Sequence, residues 1–105
     1  MWKRVCRPEE VPANGLKQVQ VEGGPAIVIA NAGDEFFAFQ ALCPQEAIPL
    51  ADGIHDGSVL TCLEHLWQFD LRTGEARGDA EAPMETYKLK QENGALYVWM
   101  EEPAR

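Results

Sequence analysis

Basic residues are scarce in this chain. Nine lysines and arginines stand against seventeen aspartates and glutamates, a net charge of −8 over 105 residues. A surface of that sign repels nucleic-acid phosphates and suits steering toward a basic patch on a partner protein. Long apolar runs are missing too: no stretch approaches the roughly 18 residues a bilayer-spanning helix needs. Met1-Trp2-Lys3-Arg4-Val5-Cys6 has neither the apolar core nor the cleavage site of a secretory signal, so the expected location is the cytoplasm. Cysteine is sparse and odd in number, at three, which argues against a disulfide framework. Histidine occurs only as His55 and His65. No internal repeat, phosphate loop, Ser-His-Asp set or paired-carboxylate site can be argued from the sequence.

Short strand-like runs separated by turn signals are abundant. Trp2 to Cys6 is one, Leu16 to Val21 alternates imperfectly, and Ala26-Ile27-Val28-Ile29-Ala30 is a continuous apolar run fit for a buried strand. Phe36 to Phe39, Trp67 to Leu71 and Glu85 to Lys90 follow, and Asn93-Gly94 is a two-residue hairpin signal before Ala95 to Trp99. The one helical hint is Pro8-Glu9-Glu10-Val11, a single turn. This pattern predicts a small all-β sandwich or barrel. Leu42 to Gly57 breaks it: Pro44, Pro49, Gly53 and Gly57 punctuate a stretch that reads as a long irregular loop, and long irregular loops are uncommon unless they carry function.

Chemistry concentrates at two knots, Cys43-Pro44-Gln45 and Cys62-Leu63-Glu64-His65. Cys62-x-x-His65 lets a thiolate and an imidazole reach one metal centre from a single loop, and a second cysteine-bearing loop strengthens the metal reading. Structural zinc wants four nitrogen or sulfur ligands. Cys43, Cys62 and His65 supply three, and Cys6 becomes a fourth only if the first strand passes the site. The iron–sulfur alternative, two cysteines on one iron and two histidines on the other, uses paired loops of the form Cys-x-His and Cys-x-x-His. Cys6 itself reads as a small buried core residue, and His55 as a solvated loop histidine. Trp67 and Phe69 are expected to pack under the loops, and Trp2 and Trp99 to be core or edge residues.

Together these residues resemble the Rieske-type ferredoxins. The likeness rests on Cys62-Leu63-Glu64-His65-Leu66-Trp67-Gln68-Phe69-Asp70 with Thr73-Gly74, on Cys43-Pro44 with Ile48-Pro49-Leu50 and Gly53, and on the closing Pro83, Tyr87-Lys88-Leu89, Asn93-Gly94 and Tyr97-Val98. Leu66 sits where many relatives carry glycine. The Leu66-Trp67 pair looks most like the ferredoxin components of toluene monooxygenases and similar diiron monooxygenases.

The resemblance implies one all-β domain over 1–105, an antiparallel β-sandwich with a small cluster-binding subdomain over about 42–69. It implies a [2Fe–2S] cluster with Cys43 and Cys62 on one iron and His65 on the other, and Pro83 in a third loop over the site. It also implies an electron carrier rather than an enzyme, a monomer shuttling from a flavin-containing NAD(P)H reductase to an oxygenase of aromatic or other hydrocarbon substrates.

One departure stands out. Where the family has its other histidine ligand, this chain has Gln45. The outer iron's fourth donor is then the Gln45 oxygen, the Glu46 carboxylate, His55 or water, and an anionic oxygen donor lowers the potential. The competing expectation is a cluster-free Rieske-like fold that serves as a binding subunit, as in the small subunits of assimilatory nitrite reductases. Retention of both cysteines, an oxidation liability without a function, favours iron.

Overall fold

The computed structural model describes residues 1–44, 48–63 and 66–101. Its strands are β1 (Trp2–Cys6), β2 (Leu16–Gln20), β3 (Ala26–Asn31), β4 (Phe36–Gln40), β5 (Ile54–His55), β6 (Val59–Thr61), β7 (Gln68–Asp70), β8 (Ala76–Arg77), β9 (Thr86–Tyr87), β10 (Leu89–Glu92) and β11 (Ala95–Trp99). All pair antiparallel, in three sheets ordered β1-β11-β10, β2-β3-β4-β9 and β5-β6-β7-β8. The all-β expectation holds, and Pro8–Glu10 forms a 3₁₀ turn where a single helical turn was expected.

Strand β3 explains how the sheets stack. Side chains alternate faces along a strand, and both faces of β3 are covered. Ile27 and Ile29 enter a core with Cys6, Val19, Val21, Ala38, Leu96 and Val98. Val28 and Ala30 point the other way, into a core with Phe39, Cys43, Leu50, Leu60, Cys62, Trp67 and Phe69. The β2-β3-β4-β9 sheet is therefore a middle layer, with the β1-β11-β10 sheet on one face and the β5–β8 sheet on the other. This is why Ala26 to Ala30 reads as unbroken apolar sequence rather than as an alternation. Each fully buried valine or isoleucine contributes about 1.5–3 kcal/mol of transfer free energy.

The β10–β11 hairpin turns on Asn93 and Gly94, at φ of 51° and 77°. Positive φ at both central residues is the type I′ geometry whose twist matches the strands.

The middle of the chain is more ordered than its sequence predicts. Within 42–57, Leu42 bridges Pro49, Leu50–Asp52 forms a 3₁₀ turn, and Ile54–His55 is a strand paired with β6. Strands of two or three residues are too short to register as a period.

Candidate metal centre

Two loops carry the cysteines, and each is tied at its base. In the first, Cys43 N–H donates to the Ile48 carbonyl (2.9 Å) and Leu50 N–H to the Ala41 carbonyl (2.8 Å). In the second, Cys62 N–H donates to the Trp67 carbonyl at 2.8 Å, just before β7 starts. These bonds hold Cys43 and Cys62, 4 % and 1 % exposed, in one core with Leu50, Leu60, Trp67 and Phe69. Trp67 packs edge-to-face on Phe69, ring centroids 6.2 Å apart, a favourable geometry for aromatic pairs. The expectation that Trp67 and Phe69 pack beneath the loops is met.

A third segment leans on the same core. Met84 is buried in it and Ala80 packs against it, while Met84 N–H donates to the Gly74 carbonyl at 2.9 Å. Gly74 has φ +80°, and a Cβ there would overlap the Met84 carbonyl oxygen. Glycine is thus required both for the backbone conformation and for the close approach. Pro83, beside Met84 in this segment, is exposed.

Asp70 organises the turn from β7 to β8. One carboxylate oxygen accepts from the Arg72 and Thr73 backbone N–H groups (2.8 and 3.0 Å), and the other from Arg77 Nη2 at 2.9 Å. The Arg77 guanidinium first, then the Thr73 N–H, hold its pKa down at about 2. Arg72 itself forms a two-pronged pair with Glu35, at 2.7 and 2.8 Å.

One expectation is corrected. His55 is not a solvated loop residue able to swing toward the cysteines. It lies half-buried on β5, with Nε2 3.1 Å from the Gly15 carbonyl and Nδ1 accepting from Gly57 N–H at 3.0 Å, so both ring nitrogens are engaged. Cys6 is the small buried core residue expected, in the core on the other face of the middle sheet from Cys43 and Cys62. Burial pushes its thiol pKa up.

Gln45, Glu46 and His65 lie outside the described residues. Among the described residues no three metal-binding side chains gather. The donors in this core are two buried cysteines, from two separate loops. That chemistry fits the thiolate-bound iron of a two-iron cluster.

Leucines near the two cysteines are exposed, which the sequence did not announce. Leu42, Leu63 and Leu66 are 45, 53 and 66 % exposed. Leu66 also has φ +57°, the left-handed region that disfavours a side chain by about 1–2 kcal/mol.

Comparison with known proteins agrees with this chemistry. The family model of the Rieske [2Fe-2S] domain matches residues 1–88. The methanesulfonate monooxygenase ferredoxin subunit of Methylosulfonomonas methylovora is 37 % identical over 102 residues, covering 96 % of this chain and 82 % of that one. The biphenyl 2,3-dioxygenase ferredoxin component of Rhodococcus jostii is 35 % identical over 99 residues, covering 93 and 92 %. The solved ferredoxin of Sphingomonas yanoikuyae B1 superimposes with a TM-score of 0.82 at 31 % identity, covering 95 and 97 %.

Proposed function

The chain belongs to the Rieske [2Fe-2S] domain family, and from that premise we propose that it is the ferredoxin of an oxygenase system, an electron carrier rather than an enzyme. When bound, the cluster supplies a one-electron redox couple. The observation that carries the reading is the pair of buried cysteines, Cys43 and Cys62, on two tied loops of one core. In this reading they hold the inner iron, and His65 holds the outer iron with Gln45 or a substitute beside it. Leu50, Leu60, Trp67 and Phe69 keep water from the thiolates. The loops and the β5–β8 sheet form the cluster-bearing subdomain of a single domain.

Ferredoxin relatives from both a monooxygenase and a dioxygenase system support an oxygenase as electron acceptor. We take the donor to be a flavin-containing NAD(P)H reductase. The Leu66-Trp67 pair favours a partner of the toluene-monooxygenase type acting on an aromatic or other hydrocarbon. A reducing cytoplasm suits a chain with three buried cysteines, an odd number, and no helix among the described residues is long and apolar enough to cross a membrane. A monomer suits a shuttle that must leave one partner for the next.

The test is a visible absorption spectrum with iron and acid-labile sulfide counts, on protein purified without oxygen. About two of each per chain are expected for a two-iron cluster. A folded protein with neither overturns the reading and leaves a cluster-free binding subunit.

A further inference from the structure

The first cysteine loop and the Met84 segment come from distant parts of the chain, yet one side chain bonds both. Gln40 is the last residue of β4 and is half-buried. Its backbone N–H donates to the Glu85 carbonyl at 2.9 Å, one step beyond the pairing of Phe39 with Thr86. Its side-chain Oε1 accepts from the Glu85 N–H, and its Nε2 donates to the Leu42 carbonyl at 2.6 Å. Among the described residues no other side chain hydrogen-bonds to both segments.

The two bonded residues flank buried ones. Leu42 immediately precedes Cys43, and Glu85 immediately follows Met84. Met84 is 3 % exposed, in the core that holds Cys43 and Cys62. Its own N–H is held by the Gly74 carbonyl, so the methionine is fastened on one side by Gly74 and on the other through Gln40. The residue type follows from the task. A primary amide accepts and donates at once, whereas a carboxylate only accepts and a thioether has no donor.

We propose that Gln40 is a positioning residue for the cluster: it latches the Met84 segment to the stem of the Cys43 loop and so keeps water from the two cysteine sulfurs. The inference rests on the electron-carrier reading. Without the amide, the Leu42 carbonyl and the Glu85 N–H turn to water, and the segment opens locally at a free energy well below that of unfolding. Solvent access around a metal site sets how firmly the metal is held and at what potential it is reduced.

Two variants test the latch. Gln40→Met keeps the length and loses both side-chain bonds, while Gln40→Glu keeps the acceptor for Glu85 and loses the donor for Leu42. Iron-loaded protein is challenged with EDTA without denaturant, and the decay of visible absorbance is timed. Gln40→Met is expected to lose its cluster roughly tenfold faster than the wild type. Its reduction potential should rise, because water at the thiolates stabilises the added electron. Native-state amide exchange locates the change. Cys43, Leu50 and Met84 amides should exchange faster in Gln40→Met, only Cys43 and Leu50 in Gln40→Glu, and β3 amides should be unmoved in both. Four results overturn the proposal: cluster loss at the wild-type rate, an unmoved potential, a Gln40→Glu variant indistinguishable from the wild type, or β3 amides that accelerate in step with Cys43. If the wild type carries no iron, the electron-carrier reading falls. Faster exchange confined to Cys43, Leu50 and Met84 then still upholds the latch, and unchanged or uniform exchange overturns it.

Discussion

His55 and Gly15 join two layers of the molecule: the imidazole Nε2 on β5 lies 3.1 Å from the Gly15 carbonyl oxygen, forty residues back in the chain, at the entrance to β2. Nδ1 accepts from Gly57 N–H at 3.0 Å, so Nε2 carries the proton and donates it to Gly15. His55→Ala strands a carbonyl and an N–H at a half-buried site. It is expected to lower unfolding free energy by about 1–2 kcal/mol, read by urea denaturation. Amide exchange at Gly57 should accelerate while β3 amides stay protected. Unchanged stability would mean that water replaces the imidazole without loss.

The third segment of the site depends on Gly74. Gly74→Ala meets the Met84 carbonyl and a φ of +80° together, and is expected to cost about 3 kcal/mol. Gly33→Ala is the control: its φ is +96°, but nothing lies within 4 Å of the new Cβ. There about 1 kcal/mol of left-handed strain is expected. Thermal melts of the two variants compare them directly.

Asp70 gives the fold an acid-sensitive turn. The Arg77 guanidinium holds its folded carboxyl down at about 2, below its ordinary value of 3.8. Its stabilisation is therefore fully present above pH 4 and is lost as pH falls from about 4 to about 2. Asp70→Asn should lower stability near neutrality by about 1 kcal/mol and flatten that limb of the stability–pH profile. A variant with the wild-type acid limb would assign the transition to other carboxylates.

The three cysteines should separate cleanly by iron content. Cys43→Ser and Cys62→Ser are each expected to abolish iron and visible absorbance. Cys6→Ala, on the opposite face of the middle sheet, should leave both intact. It should cost only about 1 kcal/mol for the small void it leaves. Iron lost from the Cys6 variant at unchanged fold would return that residue to the ligand set.

Position 45 is expected to tune the cluster. Histidine ligands on one iron raise Rieske potentials above those of four-cysteine clusters. Gln45→His in the iron-loaded protein is accordingly expected to raise the midpoint by on the order of 100 mV, measured by redox titration. A fall, or no change, would show that position 45 does not reach the outer iron.

The sequence and the fold divide this protein between them. Composition, turn spacing and the Asn93-Gly94 signal were enough for an all-β chain and most of its longer strands. The Cys43 and Cys62–His65 motifs were enough to point to a metal, because ligation depends on residue type and local spacing, but zinc and iron–sulfur stayed open until the family resemblance was drawn. Strands β5, β6 and β8 were not legible, since two or three residues cannot display a period and their pairing is set by distant neighbours. The same limit hid the role of His55, whose Gly15 partner is remote in the chain.

Tertiary structure alone decided which face of β3 belongs to which core, and so that Cys6 and the two loop cysteines lie on opposite sides of one sheet. It also decided that Leu66 is strained and exposed. An amino-acid string records that a leucine is apolar. Only the closure of the Cys62 loop onto Trp67 fixes the backbone angle it must adopt and leaves its side chain to the solvent.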